Sequence, residues 1–424
     1  MAAAALDDLG LRAYAPDSVR VQVPRADETI LERMLAALSF VSGDYRDPST
    51  FDRLRQLLGT PRRPLFYLAI PPSMFETTVA GTAGTGLHRD GRILVEKPFG
   101  RDPGSARALN ACLHTAFPEE AIFRIDHFLA KETVQNLLLS RFANSLLEPV
   151  WDRHHIASVQ ITLAESFDVE GRGAFYEEVG AVRDVVQNHL LQGMALLAME
   201  PPAGAGAEAL RDEKVKVFQA TRALDPGQLV RGQYRGYRRE PGVWADSEVE
   251  TYAALRLQID SQRWEGVPFH IRTGKRLTSS ILGAVVEFRQ PARLLFADDS
   301  ELPPHPNHLR FRLEGPGEGA SLTLQAKAPG ELTRTLPVDL GFTSDQSFGD
   351  QQMHAYERLL GDAIEGQAAL FARQDGVEEE WRIVAPALDT PGPAEPYDPG
   401  SWGPVETDVA AAPTSGWHNP RDSG

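Results

Sequence analysis

Leu65-Phe66-Tyr67-Leu68-Ala69-Ile70-Pro71-Pro72 is a short apolar run stopped by a pair of prolines. A run of this length between chain breakers reads as a parallel strand, buried on both faces and ending at a ligand-facing edge. Ile93-Leu94-Val95 reads the same way and is closed by Glu96-Lys97-Pro98-Phe99-Gly100. A helical stretch from Ser73, a candidate cap, lies between them. Strand, helix and strand at crossover spacing predict an α/β layer. Further out, Ile30, Leu31, Met34, Leu35 and Leu38 recur at helical spacing, which predicts an amphipathic helix over 27–40. Val19 to Val23 alternates and predicts a strand. Gly81-Thr82-Ala83-Gly84-Thr85-Gly86 follows a helix rather than a strand and reads as a surface connection. No GxGxxG or GxxxxGK[ST] motif stands between a strand and a helix.

Beyond residue 125 the texture changes. Lys131 to Phe142 and Arg183 to Met199 read as helices, and much of the remainder alternates. Val159, Ile161 and Leu163 are one such set. Others are Leu255, Leu257 and Ile259, then Leu309, Phe311 and Leu313, then Leu322 and Leu324. Successive alternating strands predict one large antiparallel sheet with one wet face, hence an α+β second part. Gly315 to Gly319 marks a turn between two of its strands. The tail from Pro391, rich in proline and glycine, is expected to wrap the surface or to be partly mobile.

Composition narrows the function classes. The 424 residues carry 43 basic and 59 acidic side chains, a net charge of -16, which disfavours nucleic acid as a partner. The length suggests more than one domain, and 42% hydrophobic content suffices for sizeable cores. Cys112 stands alone, so neither an internal disulfide nor a cysteine-built metal site is expected. The histidines are dispersed without an HExxH pair, and no metal is expected. There is no transmembrane-length apolar run and no signal-peptide pattern, so the reading is a cytoplasmic protein without a membrane partner.

Chemistry concentrates in four places. Arg124-Ile125-Asp126-His127-Phe128-Leu129-Ala130-Lys131-Glu132 follows an apolar strand, with Asp126 and His127 expected on opposite faces and Lys131 at a helix start. A cation beside helix N-terminal N–H groups suits a phosphate, although the same residues also fit a solvated loop. Arg183-Asp184-Val185-Val186-Gln187-Asn188-His189 puts a histidine on an apolar helix face shared with Val185, Val186 and Gly193. That fits a satisfied core histidine, or a base if Asp126 faces it and holds one ring nitrogen protonated. Lys97, followed by Pro98 in a candidate cis bond, lies where open α/β sheets bind ligands, or else reaches into solvent. Ile271-Arg272-Thr273-Gly274-Lys275-Arg276 is a strand end with clustered cations, or a basic hairpin.

Taken together, these clusters resemble the glucose-6-phosphate dehydrogenase family. The likeness begins near Phe40-Val41-Ser42-Gly43-Asp44-Tyr45 and runs through Leu65 to Pro72, Glu96 to Asp102, Arg124 to Glu132, Tyr176 to Leu190 and Pro268 to Lys275. It closes on Pro399-Gly400-Ser401-Trp402-Gly403-Pro404. The resemblance implies that His189 is the general base for the sugar C1 hydroxyl and that Asp126 orients it. It makes His127 and Lys131 phosphate ligands, and Glu165, Asp184 and Lys275 ligands of sugar hydroxyls. Lys97 would lie between nicotinamide and sugar. The implied activity oxidises D-glucose 6-phosphate to 6-phosphoglucono-1,5-lactone with NADP, NAD remaining open, at the head of the pentose phosphate pathway. A homo-oligomer, dimer or tetramer, is implied as well.

The sequence departs from the family pattern in three ways. Family members open with a strand, a GxxGDL-type glycine turn and a helix, whereas Met1 to Asp27 is too short for that unit. The expected fold is therefore α/β plus α+β. An incomplete Rossmann-like domain spans 1–125, and a mainly antiparallel sheet domain with helices spans 126–424. Weak dinucleotide binding is expected from the first departure. Phe128 replaces a usual tyrosine, which removes one hydroxyl donor to the phosphate. Thr278-Ser279-Ser280-Ile281 lacks basic residues found in some members. Two hypotheses result. One is a working dehydrogenase; the other is a silent sugar-phosphate-binding homologue serving as a regulatory or scaffold subunit.

Overall fold

The computed structural model describes residues 7–23, 25–291, 306–315, 317–330, 335–343, 353–404 and 411–419. The chain divides into two compact units, Met1–Val95 with Ala108–Ile122, and Glu96–Arg107 with Phe123–Gly424.

In the first unit, strands β1 (Leu65–Leu68) and β2 (Arg92–Val95) pair in parallel, Leu65 against Arg92 and Leu68 against Val95. Helix Phe75–Thr85 connects them, as the crossover spacing predicts. It follows a 3-10 turn, Pro72–Met74, and receives no side-chain cap, so Ser73 does not cap it. The glycine-rich stretch is not a loop. Gly81 and Gly84 lie inside this helix, and Gly86 ends it in the left-handed conformation. A Cβ on Gly81 would come within 2.3 Å of the Phe51 ring, so the small residue permits close packing against helix Pro48–Leu58. The helix expected over 27–40 spans Glu28–Ala37, capped by Asp27. The strand expected at Val19 to Val23 is instead the end of helix Asp8–Gln22, in which Asp7 accepts from the Gly10 N–H. Alternation over five residues was too short to compete with that capped helix.

The second unit is built on a nine-stranded sheet. In chain order its strands are β4 (Ile156–Ala164), β5 (Leu229–Tyr234), β6 (Tyr252–Leu257), β7 (Phe269–Gly274), β8 (Ile281–Phe288), β9 (His308–Glu314), β10 (Gly319–Lys327), β11 (Thr335–Thr343) and β13 (Ala394–Tyr397). Their spatial order is β11-β10-β9-β8-β4-β7-β6-β5-β13. Most pairs are antiparallel, but β4 with β7 and β13 with β5 are parallel. Apart from this sheet, β3 (Ile122–Ile125) pairs antiparallel with β12 (Phe371–Ala372) through Ile125 and Arg124.

The expectation of one wet face holds in β9, where buried and less buried positions alternate, whereas β11 is exposed along nearly its whole length. Every residue of β7 is buried, and β4 and β6 nearly so. The tail explains part of this. His270 Nδ1 bonds the Ala411 carbonyl, Gln160 bonds Gly416 and His418, and the Arg272 guanidinium packs over the Trp402 and Trp417 rings. The segment after Pro391 therefore adds β13 to the sheet and then covers it, rather than wrapping a surface.

Helix Leu191–Ala198 is buried at every residue, because its sequence is apolar all round apart from Gln192. Its last carbonyls still need donors. Arg141 donates to Leu196 and Leu197 at 3.2 and 3.0 Å, and the Trp151 and Trp264 indoles donate to Leu197 and Ala198 at 2.9 and 2.7 Å. The helix is thereby pinned at the end away from His189.

Candidate active site

All the candidate residues belong to the second unit. Strand β3 ends at Ile125, and Asp126 caps a 3-10 turn, His127–Ala130, by accepting from the Phe128 N–H at 3.1 Å. The chain thus leaves the strand at Asp126. His127 does not alternate to the far side as the strand reading required, and its ring centroid lies 4.8 Å from that of His189. Lys131 is the N-cap of helix Glu132–Phe142.

His189 lies on a π-helical segment, Val182–Leu190, that runs directly into Leu191–Ala198. Wide i→i+5 turns bring residues five apart onto one face. Asp184 and His189 are five apart, and both meet Lys97, which sits beyond β2 at a cis Lys97–Pro98 bond. The Lys97 ammonium donates to the Asp184 carbonyl at 2.9 Å and to its carboxylate at 3.2 Å, and lies 3.0 Å from His189 Nε2. On the other side of the ring, Nδ1 is 2.5 Å from Asp126 Oδ1. Because Lys97 can only donate, the network places the proton of a neutral ring on Nδ1 and a lone pair on Nε2. Asp126 and His189 are 3% and 5% exposed, so the pair is shielded from water.

The segment starts at a tight point. Gly180 has φ 61°, and a Cβ there would lie 2.5 Å from Glu250 Oε1. Glu250 in turn accepts from the Val182 N–H and pairs with Arg231 at 2.7 Å.

Glu165 and Lys275, at the adjoining ends of β4 and β7, pair at 2.6 Å. The Lys275 ammonium sits 4.7 Å from the Phe167 ring centre, and the Tyr397 hydroxyl donates to the Lys275 carbonyl at 2.6 Å. The cations of this stretch are not a basic hairpin. Arg272 lies under the tail, and Arg276 pairs with Asp168. Lys97, His127, Lys131, Glu165, Asp184, His189 and Lys275 line one cavity of about 590 Å³, within the usual range for a small-molecule site.

The electrostatics are set by burial and by these neighbours. Burial alone would raise the Asp126 carboxyl, but His189, His127 and Lys97 outweigh it and hold it below the ordinary carboxylate range. Asp184 is likewise raised by burial and lowered more by Lys97, Lys275 and His189. Burial, helped by His189, pushes His127 down to about 4, so its ring is neutral near pH 7. As a phosphate ligand it would offer a neutral N–H donor rather than a positive charge. Asp126, His127 and His189 also offer ligand atoms within 4.8 Å of one another, a geometry open to a metal ion, although two of those atoms already engage each other.

Glu314, at the end of β9, was not singled out by sequence. It pairs with Lys131 at the mouth of the cavity, and nothing in its local pattern marks it. On the expectation that Lys131 holds a phosphate, the incoming anion would have to displace this carboxylate. Glu314→Gln is therefore expected to lower KM for glucose 6-phosphate about two- to fivefold, the scale of one exposed ion pair, and to leave kcat unchanged. Steady-state kinetics check this, and an unchanged or higher KM would show that Glu314 does not compete.

A buried histidine–carboxylate pair thus faces the cavity, with a lysine against the second ring nitrogen. Residues 1–136 match the family model for the glucose-6-phosphate dehydrogenase NAD binding domain, and residues 138–418 match that for its C-terminal domain. The chain belongs to the glucose-6-phosphate dehydrogenase family. It is 43% identical over 396 residues to glucose-6-phosphate 1-dehydrogenase 1 of Mycobacterium tuberculosis (strain ATCC 25618 / H37Rv), covering 93% of this chain and 84% of that one. To the enzyme of Dickeya dadantii (strain 3937) it is 41% identical over 394 residues, covering 87% and 79%. The crystal structure of glucose-6-phosphate 1-dehydrogenase from Mycobacterium avium superposes with TM-score 0.90 at 42% identity, covering 98% of this chain and 90% of that one. A glucose-6-phosphate dehydrogenase solved with its substrate glucose 6-phosphate gives TM-score 0.87 at 32% identity with the same coverage. Among the described residues no helix is long and apolar enough to cross a membrane.

Proposed function

We propose that the protein oxidises D-glucose 6-phosphate to 6-phosphoglucono-1,5-lactone in the cytoplasm, with NADP as acceptor, as the entry to the pentose phosphate pathway. The observation that carries this reading is the contact of His189 with Asp126 on one side and Lys97 on the other. His189 Nε2 takes the proton of the C1 hydroxyl as the C1–H bond breaks with its electron pair and the C1=O bond forms. Asp126 stabilises the imidazolium and fixes its orientation. Lys131 and the neutral His127 ring hold the phosphate, while Glu165, Asp184 and Lys275 hold sugar hydroxyls. This fixes C1 against the base, which supplies much of the rate. A nicotinamide dinucleotide supplies the hydride acceptor when bound. Lys97 fits its nicotinamide end, since its donors already converge on the base nitrogen that the reacting carbon must meet. The complete dyad favours an enzyme over a silent scaffold subunit.

We place the domain boundary at 125/126. The single free cysteine, Cys112, suits a reducing compartment. A homo-oligomer is supported by Leu336, Val338, Leu340 and Phe342, alternate residues that share one exposed apolar face of β11. Formation of reduced dinucleotide with glucose 6-phosphate, compared between NADP and NAD, tests the activity and the cofactor. No turnover with either would sink the enzyme reading, and faster turnover with NAD would reverse the cofactor assignment. Light scattering on the same preparation should read a dimer or tetramer; a monomer would remove the β11 argument.

A further inference from the structure

Lys275 directly follows β7, and its backbone is held by the far end of the chain. Its N–H donates to the Thr251 carbonyl, just before β6, at 2.9 Å. Its carbonyl accepts from the hydroxyl of Tyr397, the last residue of β13, at 2.6 Å. Further bonds join the same two stretches. The Gly400 N–H donates to the Arg276 carbonyl at 2.8 Å, and the Thr278 N–H donates to the Ser401 carbonyl at 3.1 Å. The Thr278 hydroxyl donates to the Gly400 carbonyl at 2.8 Å, and Leu277 and Ser401 form a parallel bridge. Residues 397–401 thus close as a clamp on residues 275–278.

The proton count fixes the direction of the Tyr397 bond. The Tyr234 N–H donates to Thr251 Oγ1 at 2.9 Å, so the Thr251 hydroxyl proton turns to the Tyr397 oxygen, 3.0 Å away. The single Tyr397 proton then goes to the Lys275 carbonyl, since the Thr251 carbonyl is farther off at 3.3 Å. Burial pushes the Tyr397 hydroxyl well above its usual range, so it remains a donor near pH 7.

The other end of Lys275 reaches the cavity. Its ammonium pairs with Glu165, lies against the Phe167 ring and borders the same space as His189. Glu165 is tied to the same turn, donating its N–H to the Gly274 carbonyl and accepting from the Leu277 N–H, both at 3.0 Å. Only a buried four-carbon stem separates the clamped backbone from the ammonium, so a shift of the turn is carried to the tip.

We propose that Tyr397 is a positioning residue for the dehydrogenation: its hydroxyl fixes the Lys275 backbone and, through it, the ammonium that meets the sugar. The tail is thereby part of the sugar site without lining it. Sequence reasoning passed over Tyr397 because it stands in Pro396-Tyr397-Asp398-Pro399, a proline-flanked stretch whose partners lie 122 and 146 residues away.

The inference rests on the reading of Lys275 as a sugar ligand, and two variants tell the two apart. Lys275→Met is expected to raise KM for glucose 6-phosphate about tenfold or more. An unchanged KM there overturns that reading and this one with it. Where KM does rise, Tyr397→Phe, which removes one oxygen, is expected to raise it about three- to tenfold with kcat within about twofold, the scale of one buried hydrogen bond. In the Lys275→Met background the same change should add nothing to KM, because the hydroxyl acts through that side chain. A merely structural tyrosine would lower the melting temperature in both backgrounds and leave KM alone. Should Tyr397→Phe fail to fold, Thr278→Val loosens the same clamp from its exposed side and should raise KM about twofold. An unchanged KM in whichever of these variants folds, or an equal rise with and without Lys275, overturns the proposal.

Discussion

His189→Asn is expected to lower kcat about 10²- to 10⁴-fold at saturating substrates, with sugar affinity close to that of the parent. Asparagine retains a donor toward Asp126 but has no basic nitrogen at the position of Nε2, so the loss falls on the proton transfer and not on binding. The walls proposed to hold the sugar come from other elements, with Glu165 on the β4 end, Lys275 on the β7 end and Lys131 at a helix start. Steady-state kinetics decide the matter. A loss smaller than about tenfold would transfer the base role away from His189.

Lys131→Ala is expected to lower kcat/KM for glucose 6-phosphate about 10- to 10²-fold, the range for one charge-assisted hydrogen bond. Free glucose, without the phosphate, should be turned over about as well as by the parent. The comparison between the two sugars matters more than either value. With His127 neutral, Lys131 is the cation of the two residues proposed to hold the phosphate. Equal losses on both sugars would show damage to helix Glu132–Phe142 rather than loss of an anion ligand.

The parallel pair β1 and β2 was legible because short apolar runs between prolines and glycines leave few alternatives. The alternating strands of the large sheet were legible for the same kind of reason. Asp126, His189 and Lys97 stood out through local pattern and family likeness, and the structure brings them within hydrogen-bonding distance. What sequence did not show depended on non-local contacts or on a change of helical period. Gly81 looks like part of a loop until Phe51 is seen against it. The tail looks mobile until Tyr397, Ala411 and Trp417 are seen packed on the sheet. Glu314 and Tyr397 carry no local signature, because their partners lie far away in sequence: Lys131 and Lys275. The convergence of Asp184 and His189 on Lys97 is clearest with a five-residue repeat, and the 3.6 period instead aligned His189 with Val185, Val186 and Gly193.

That wide helical turn has a consequence for how the gene can vary. An ordinary α-helix advances about 100° per residue, so shortening Val182–Leu190 by one position would swing His189 about a quarter-turn or more relative to Asp184. Every functional group would survive such an in-frame deletion, yet the two would no longer converge on one ammonium. The shortened protein should keep its helical circular dichroism and lose turnover; retained turnover would mean that the spacing is not needed. Spacing along this helix is thus a requirement distinct from residue identity. A comparison that scores substitutions position by position does not register it.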